Sequence, residues 1–178
     1  MLRSIKKKCL IVVDFQNDFV TGSLGFPKAK KLERRIVRKI KEYHKNKGDV
    51  IFTYDTHQGN YLETLEGQKL PMIHCIEGTS GHELYGKVAK SINKNDIKFN
   101  KDTFGSKELF DHLVNNKYDS IELVGLVSNI CVLVNAVLAK TAQPETPIIV
   151  DAKYTASSDR KLHRASLAVM KGLQIEVI

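Results

Sequence analysis

Apolar runs alternate with amphipathic stretches along the whole chain, and this alternation limits the fold more than any other feature of the sequence. Residues 8–13 (KCLIVV) show no polar alternation after Lys8, as expected of a strand buried on both faces. Residues 28–47 follow a helical period: Leu32, Ile36, Ile40 and Tyr43 share one face, and Gly48 ends the helix. The same reading predicts further strands at 50–54, 97–100, 120–125, 147–150 and 174–178, and helices at 82–91, 107–116, 129–140 and 160–171. A long irregular loop separates the second strand from about Thr79, and there is no repeat, linker or low-complexity segment. Strand and helix alternating six times predict a three-layer α/β/α fold: an open, six-stranded, mostly parallel sheet with helices on both faces. A length of 178 residues suits one compact domain, 1–178, with a core large enough to need no disulfide staples.

Composition narrows the classes of function. Three widely spaced cysteines, Cys9, Cys75 and Cys131, form no C-x-x-C pattern, so reduced thiols and a cytoplasmic location are expected. The opening MLRSIKKKCLIVVDF imitates a signal peptide, but its apolar run is short and ends in Asp14. No stretch approaches the roughly 18 apolar residues that span a bilayer, so no membrane partner is expected. The net charge of +8 invites a nucleic-acid reading. The lysines are scattered over helices and loops without a nucleic-acid motif, which favours a solvated basic surface and no nucleic-acid partner.

In parallel α/β sheets, ligands bind beyond the carboxyl ends of the strands. The first strand runs into Asp14, the second into Asp55-Thr56-His57, the third into Lys101, and the fourth through 125–130 to Cys131 at the head of a helix. Four chemically able residues on one rim mark a candidate site. A lone helical cysteine is more often core packing. At a helix N-terminus, however, unpaired N–H groups and the dipole are expected to lower the thiol pKa and to hold an oxyanion. Asp14 is the candidate proton acceptor and Lys101 the cation that orders both. Cys9 reads as packing, and Cys75 as a loop neighbour of His74.

Asp55, His57 and His74 form a second constellation whose donors suit zinc, manganese or iron(II). Loop histidines are more often simply exposed, and His44, His82, His112 and His163 are read that way.

Together these segments resemble a known family. VDFQNDF (13–19) is similar to the opening D-x-Q-x-D-F motif of the isochorismatase-like cysteine hydrolases. GLVSNICV (125–132) resembles their nucleophile segment, and KDTFGS (101–106) their lysine segment. YDTH (54–57) with LPMIHCIEGT (70–79) is similar to the nicotinamidase branch. The resemblance implies a catalytic triad of Asp14, Lys101 and Cys131, and one divalent ion, zinc foremost, on Asp55, His57 and His74. Glu66, with Glu63 as the alternative, would add a fourth ligand. It implies a non-proline cis peptide between Val127 and Ser128, with the N–H groups of Ser128 and Cys131 as oxyanion hole. Gln16, Phe19, Leu70 and Phe104 would meet the substrate; Leu70 stands where the branch often has tryptophan, which this chain lacks.

The activity so implied is deamidation of nicotinamide and pyrazinamide to the acid and ammonia, through a thioester, in salvage of pyridine nucleotides. Another small-amide or ureido hydrolase of the superfamily is the alternative. A non-catalytic binding module is disfavoured because all three triad candidates are present. The partner is thus a small amide, and a homo-oligomer is left open.

Overall fold

A computed structural model describes residues 7–178; the basic part of the leader-like opening, 1–6, lies outside the described residues. The strands are β1 (Lys8–Val13), β2 (Asp49–Asp55), β3 (Ile97–Lys101), β4 (Ser120–Leu126), β5 (Ile148–Ala156) and β6 (Glu176–Val177). The helices are α1 (Asn17–Val20), α2 (Pro27–Lys30), α3 (Glu33–Lys45), α4 (Leu65–Lys69), α5 (Gly86–Ala89), α6 (Lys107–Asn115), α7 (Leu133–Ala142) and α8 (Arg160–Gly172). A short 3₁₀ turn covers Tyr61–Glu63, and a turn of π-helix, Ser128–Val132, leads into α7.

The sheet order is β3-β2-β1-β4-β5-β6, and every pairing is parallel. β1 is central and buried on both faces, which is why its sequence is continuously apolar. Leu10 and Val12 pack with Ile36, Ile40 and Tyr43 of α3 in one core. Cys9, Ile11 and Val13 point the other way, into a second core with Leu109, Ala136 and Met170 of α6, α7 and α8. Cys9 is a fully buried packing residue, as its place in the strand implies.

Three elements differ from their sequence outline. The helix expected at 28–47 is split, with α2 opened by Pro27 and α3 starting at Glu33. The helix expected at 82–91 shrinks to α5, because Gly86 sits at φ +53° and cannot continue a helix from 82. β5 runs past its expected end to Ala156, because the β4–β5 register slips between Leu123 and Gly125 and pairing resumes at Thr155.

β1 and β4 lie side by side where the order switches direction, and their carboxyl ends nearly touch. Gly125 has φ +114°, and a Cβ there would strike the Val13 backbone. Gly125→Ala should therefore destabilise the fold by about 1–3 kcal/mol from backbone strain alone, with the forced separation of β1 and β4 in addition. Urea unfolding measures this; an unchanged midpoint would show that the close approach is not required.

Candidate active site

Register brings the four strand ends together. Asp55 lies opposite Lys101 in the β2–β3 ladder, and Val13 opposite both Thr53 and Gly125. Asp14, one residue beyond β1, turns sharply with φ +44°, a left-handed conformation that aspartate tolerates better than most residues. Its carboxylate meets the Lys101 ammonium, with Asp14 Oδ2 at 2.8 Å from Nζ. Thr53 Oγ1 donates to the other oxygen at 2.6 Å.

Lys101 is buried and uses all its donors. Besides pairing with Asp14, its Nζ donates to Asp55 Oδ1 at 2.8 Å, to the Thr103 carbonyl at 3.0 Å and to Cys131 Sγ at 3.6 Å. Burial alone would lower its pKa, but Asp14, Cys131 and Asp55 raise it well above the ordinary value. It is therefore a fixed cation. Burial pushes the Asp14 carboxyl up despite the opposing pull of Lys101. Burial likewise drives the Cys131 thiol well up; Lys101 lowers it, and Asp14 and Asp55 raise it again. The low thiol pKa expected from the helix terminus is thus not what the site produces: desolvation and two carboxylates outweigh it. Cys131 keeps its proton, next to a carboxylate able to take it.

Cys131 stands in the π-turn, and the donors to the Val127 carbonyl are the N–H groups of Ile130 and Val132, on either side of it. The non-proline cis peptide falls between Leu126 and Val127, not between Val127 and Ser128. The β4 ladder continues to Leu126, opposite Ala156, one residue past the strand end expected from the sequence, and the cis bond follows it directly. Ser128 is fully buried, its hydroxyl 2.8 Å from His163 Nδ1.

Beside the triad, Asp55, His57 and His74 bring their ligand atoms within 4.8 Å of one another. Asp55 Oδ2 is 3.1 Å from His57 Nε2 and 3.3 Å from His74 Nε2. Such separations fit donors that each sit about 2.1 Å from a common ion. His74 Nδ1 is 2.7 Å from the Met72 carbonyl, so it carries the proton and leaves Nε2 free as a ligand. Glu66 Oε1 lies 3.8 Å from His57 Nε2, whereas Glu63 is exposed in the 3₁₀ turn. The residues present fit a divalent ion.

A cavity of about 150 Å³ adjoins both groups, walled by Phe19, Leu70, Phe104, Val127 and Ile130, with Cys131, Asp55 and His74 at its floor. Phe19, Leu70 and Phe104 line this cavity. Gln16 does not. It is fully buried, and its amide is consumed by the Asp55 backbone, accepting from N and donating to O at 2.8 Å each, and by the His82 carbonyl. It braces Asp55 rather than touching the cavity.

Sequence reasoning missed several supports. Asn135 donates to the Cys131 and Phe104 carbonyls and accepts from Ser106 N–H, tying nucleophile helix to lysine loop. An asparagine four residues after the cysteine, in mid-helix, was the available signal. Asp18 accepts from Cys75 N–H and so holds the His74 segment. The four histidines read as surface all have partners: His44 with Asp96, His82 with Thr56, His112 with Tyr118, and the buried His163 with Ser128.

A parallel three-layer α/β/α sheet with a buried Asp, Lys and Cys on one carboxyl-end rim suits a small-molecule hydrolase. The isochorismatase domain model matches residues 8–178, and the chain belongs to that family. A Bacillus subtilis relative, described as the uncharacterized isochorismatase family protein PncA, is 31% identical over 143 residues, covering 74% of this chain and 77% of that one. The crystal structure of nicotinamidase PncA from Bacillus subtilis superposes with a TM-score of 0.83 at 29% identity, covering 96% of this chain and 98% of that one. Pyrazinamidase of Pyrococcus horikoshii in complex with zinc shares the fold, with a TM-score of 0.84 at 21% identity over 97% of this chain and 98% of that one. No helix among the described residues is long and apolar enough to cross a membrane.

Replacing Lys101 should expose its role in the fold. Lys101→Met leaves Asp14 and Asp55 buried without their cation, which costs about 3–5 kcal/mol at pH 7. Lys101 lowers both carboxyl pKa values, so its loss raises them in the folded state. Groups with raised folded pKa values favour folding at low pH and lose that contribution as pH rises. The deficit against wild type should therefore shrink between pH 7 and pH 5 in urea titrations. An equal deficit at both would locate the loss elsewhere.

Proposed function

We propose that the protein deamidates nicotinamide and pyrazinamide, with Asp14, Lys101 and Cys131 as its catalytic triad. The observation that carries this reading is the single buried cluster in which Lys101 touches Asp14, Asp55 and Cys131 at the floor of an aromatic-walled cavity. Similarity to nicotinamidases supports the choice of amide.

Asp14 takes the proton from Cys131 as Sγ attacks the amide carbonyl carbon. The developing oxyanion is held by the backbone N–H of Cys131 and, in place of Ser128, by that of Val127, since Val127 lines the cavity. The C–N bond breaks, and ammonia leaves with the proton from Asp14. Asp14 then accepts a proton from water as it attacks the thioester. Sγ departs, regains that proton, and the carboxylic acid is released. Lys101 orients Asp14 throughout and offsets its charge. Asp55, His57 and His74, with Glu66 at the edge, would hold one divalent ion, zinc foremost, which supplies a Lewis acid to fix the ring nitrogen. The zinc in the Pyrococcus horikoshii pyrazinamidase supports that choice over manganese or iron. Phe19 and Phe104 would flank the ring, and Leu70 would close it in.

The test is ammonia release from nicotinamide, pyrazinamide, benzamide and ureido compounds, with and without chelator. Cys131→Ala should abolish release with the circular dichroism spectrum unchanged, while Cys9→Ala and Cys75→Ala keep most of it. Asp14→Asn should lose roughly 10²–10⁴-fold in kcat. Substantial turnover by the Cys131 variant would remove the nucleophile assignment, and preference for a ureido compound would favour the alternative hydrolase.

The metal residues give a separate expectation. His57→Ala and His74→Ala should raise KM for nicotinamide and bring metal content from about one ion per chain to near zero by elemental analysis. Benzamide, without a ring nitrogen, should bind weakly and respond little. An unchanged KM for nicotinamide in these variants would rule out the ring-anchoring role.

A further inference from the structure

The catalytic cavity does not end at Leu70 and Phe104. Beyond them opens a cleft of about 530 Å³, against about 150 Å³ for the cavity itself. Glu66, Leu70, Phe104 and Ile130 line both spaces and form the partition between them. This partition is soft. Leu70 and Phe104 are each 41% exposed, whereas Cys131 and Phe19 at the inner end are 5% and 6% exposed. A side chain so exposed has few packing contacts to lose when it swings aside. Leu65, which lines only the outer cleft, presents its apolar surface at 69% exposure.

The orientation of a bound ring follows from Lys101. Its Nζ lies 2.8 Å from Asp55 Oδ1 and 3.6 Å from Cys131 Sγ, so both ends of the site meet on the lysine side. A pyridine-3-carboxamide with its carbonyl carbon at Cys131 and its ring nitrogen toward Asp55 and His74 turns its C2 edge to Lys101. Its C5 edge then faces away, toward the partition.

We infer that the outer cleft is a second subsite, and that the protein accepts pyridine-3-carboxamides carrying apolar substituents at C5. The inference rests on the deamidation reading above. Leu65, Leu70, Phe104 and Ile130 offer an alkyl or aryl group apolar contact, while Glu66 and Asp102, together with Lys69 of the opposite sign, give the polar rim mixed charge and no selection for a charged one. A substituent at C4 points instead away from Asp55 and His74, beside the carboxamide and not into the outer cleft.

The probes are nicotinamide, 5-methyl-, 5-ethyl- and 5-propylnicotinamide, and 4-propylnicotinamide, all offered to the metal-loaded protein. Binding is read by titration calorimetry on Cys131→Ala, which cannot turn them over, and kcat/KM on the wild type. Kd should fall along the 5-alkyl series, by at most about fourfold per methylene, and 5-propylnicotinamide should be turned over at least tenfold better than its 4-propyl isomer. Leu65→Asp should weaken 5-propylnicotinamide fivefold or more and leave nicotinamide within twofold. Equal handling of the two isomers, or a 5-propyl response indifferent to Leu65→Asp, with nicotinamide still hydrolysed, would overturn the subsite alone. No hydrolysis of nicotinamide would overturn the deamidation reading and the subsite with it.

Discussion

The site depends on one buried ammonium. Lys101 Nζ pairs with Asp14 at 2.8 Å and donates to Asp55, the Thr103 carbonyl and Cys131 Sγ. A charge so far from water is stable only when paired and fully hydrogen-bonded. Both carboxylates in turn need the lysine. The mutual requirement links β3, β2 and β1 at their carboxyl ends and sets the distance from Asp14 to His57 and His74. Asp55 joins the two groups: one oxygen faces Lys101, the other faces His57 and His74. The five residues are thus one electrostatic unit. The surrounding structure holds its geometry: Gln16 fixes the Asp55 backbone, Thr53 fixes Asp14, and Asn135 fixes the turn that carries Cys131.

The layers of the fold were legible because buried parallel strands read as unbroken apolar runs and amphipathic helices follow a 3.6-residue period, as β1 and α3 show. The rim was legible because a parallel sheet places all its carboxyl ends together, so Asp14, Asp55, Lys101 and Cys131 converge without a tertiary model. Parts that depend on partners distant in sequence were not legible. Nothing near Gln16 shows that its amide will clamp Asp55, 39 residues on. Nothing near Ser128 announces His163 on α8. The segment 151–154, which gives β5 three more residues than β4 across the register shift, opens on a charge and reads as the end of a strand, since only the register with β4 reveals where pairing resumes.

The thiol is the most instructive divergence. A helix terminus suggests a thiolate, and a basic neighbour strengthens the suggestion. Burial reverses it. In the dry floor of the cavity a thiolate would stand beside two carboxylates, and one ammonium cannot balance three negative groups. Keeping the proton on Cys131 leaves Lys101 facing Asp14 and Asp55 alone. The same arrangement makes proton movement cheap. Transfer from Cys131 to Asp14 shifts a negative charge between two positions that both face Lys101, with no change in the net charge of the buried cluster. The desolvation that raises the thiol pKa also raises that of Asp14, so the two proton affinities move in the same direction. A thiol that keeps its proton at rest and a neighbouring carboxylate able to take it are therefore consequences of one burial, and the lysine keeps that burial compatible with a stable fold.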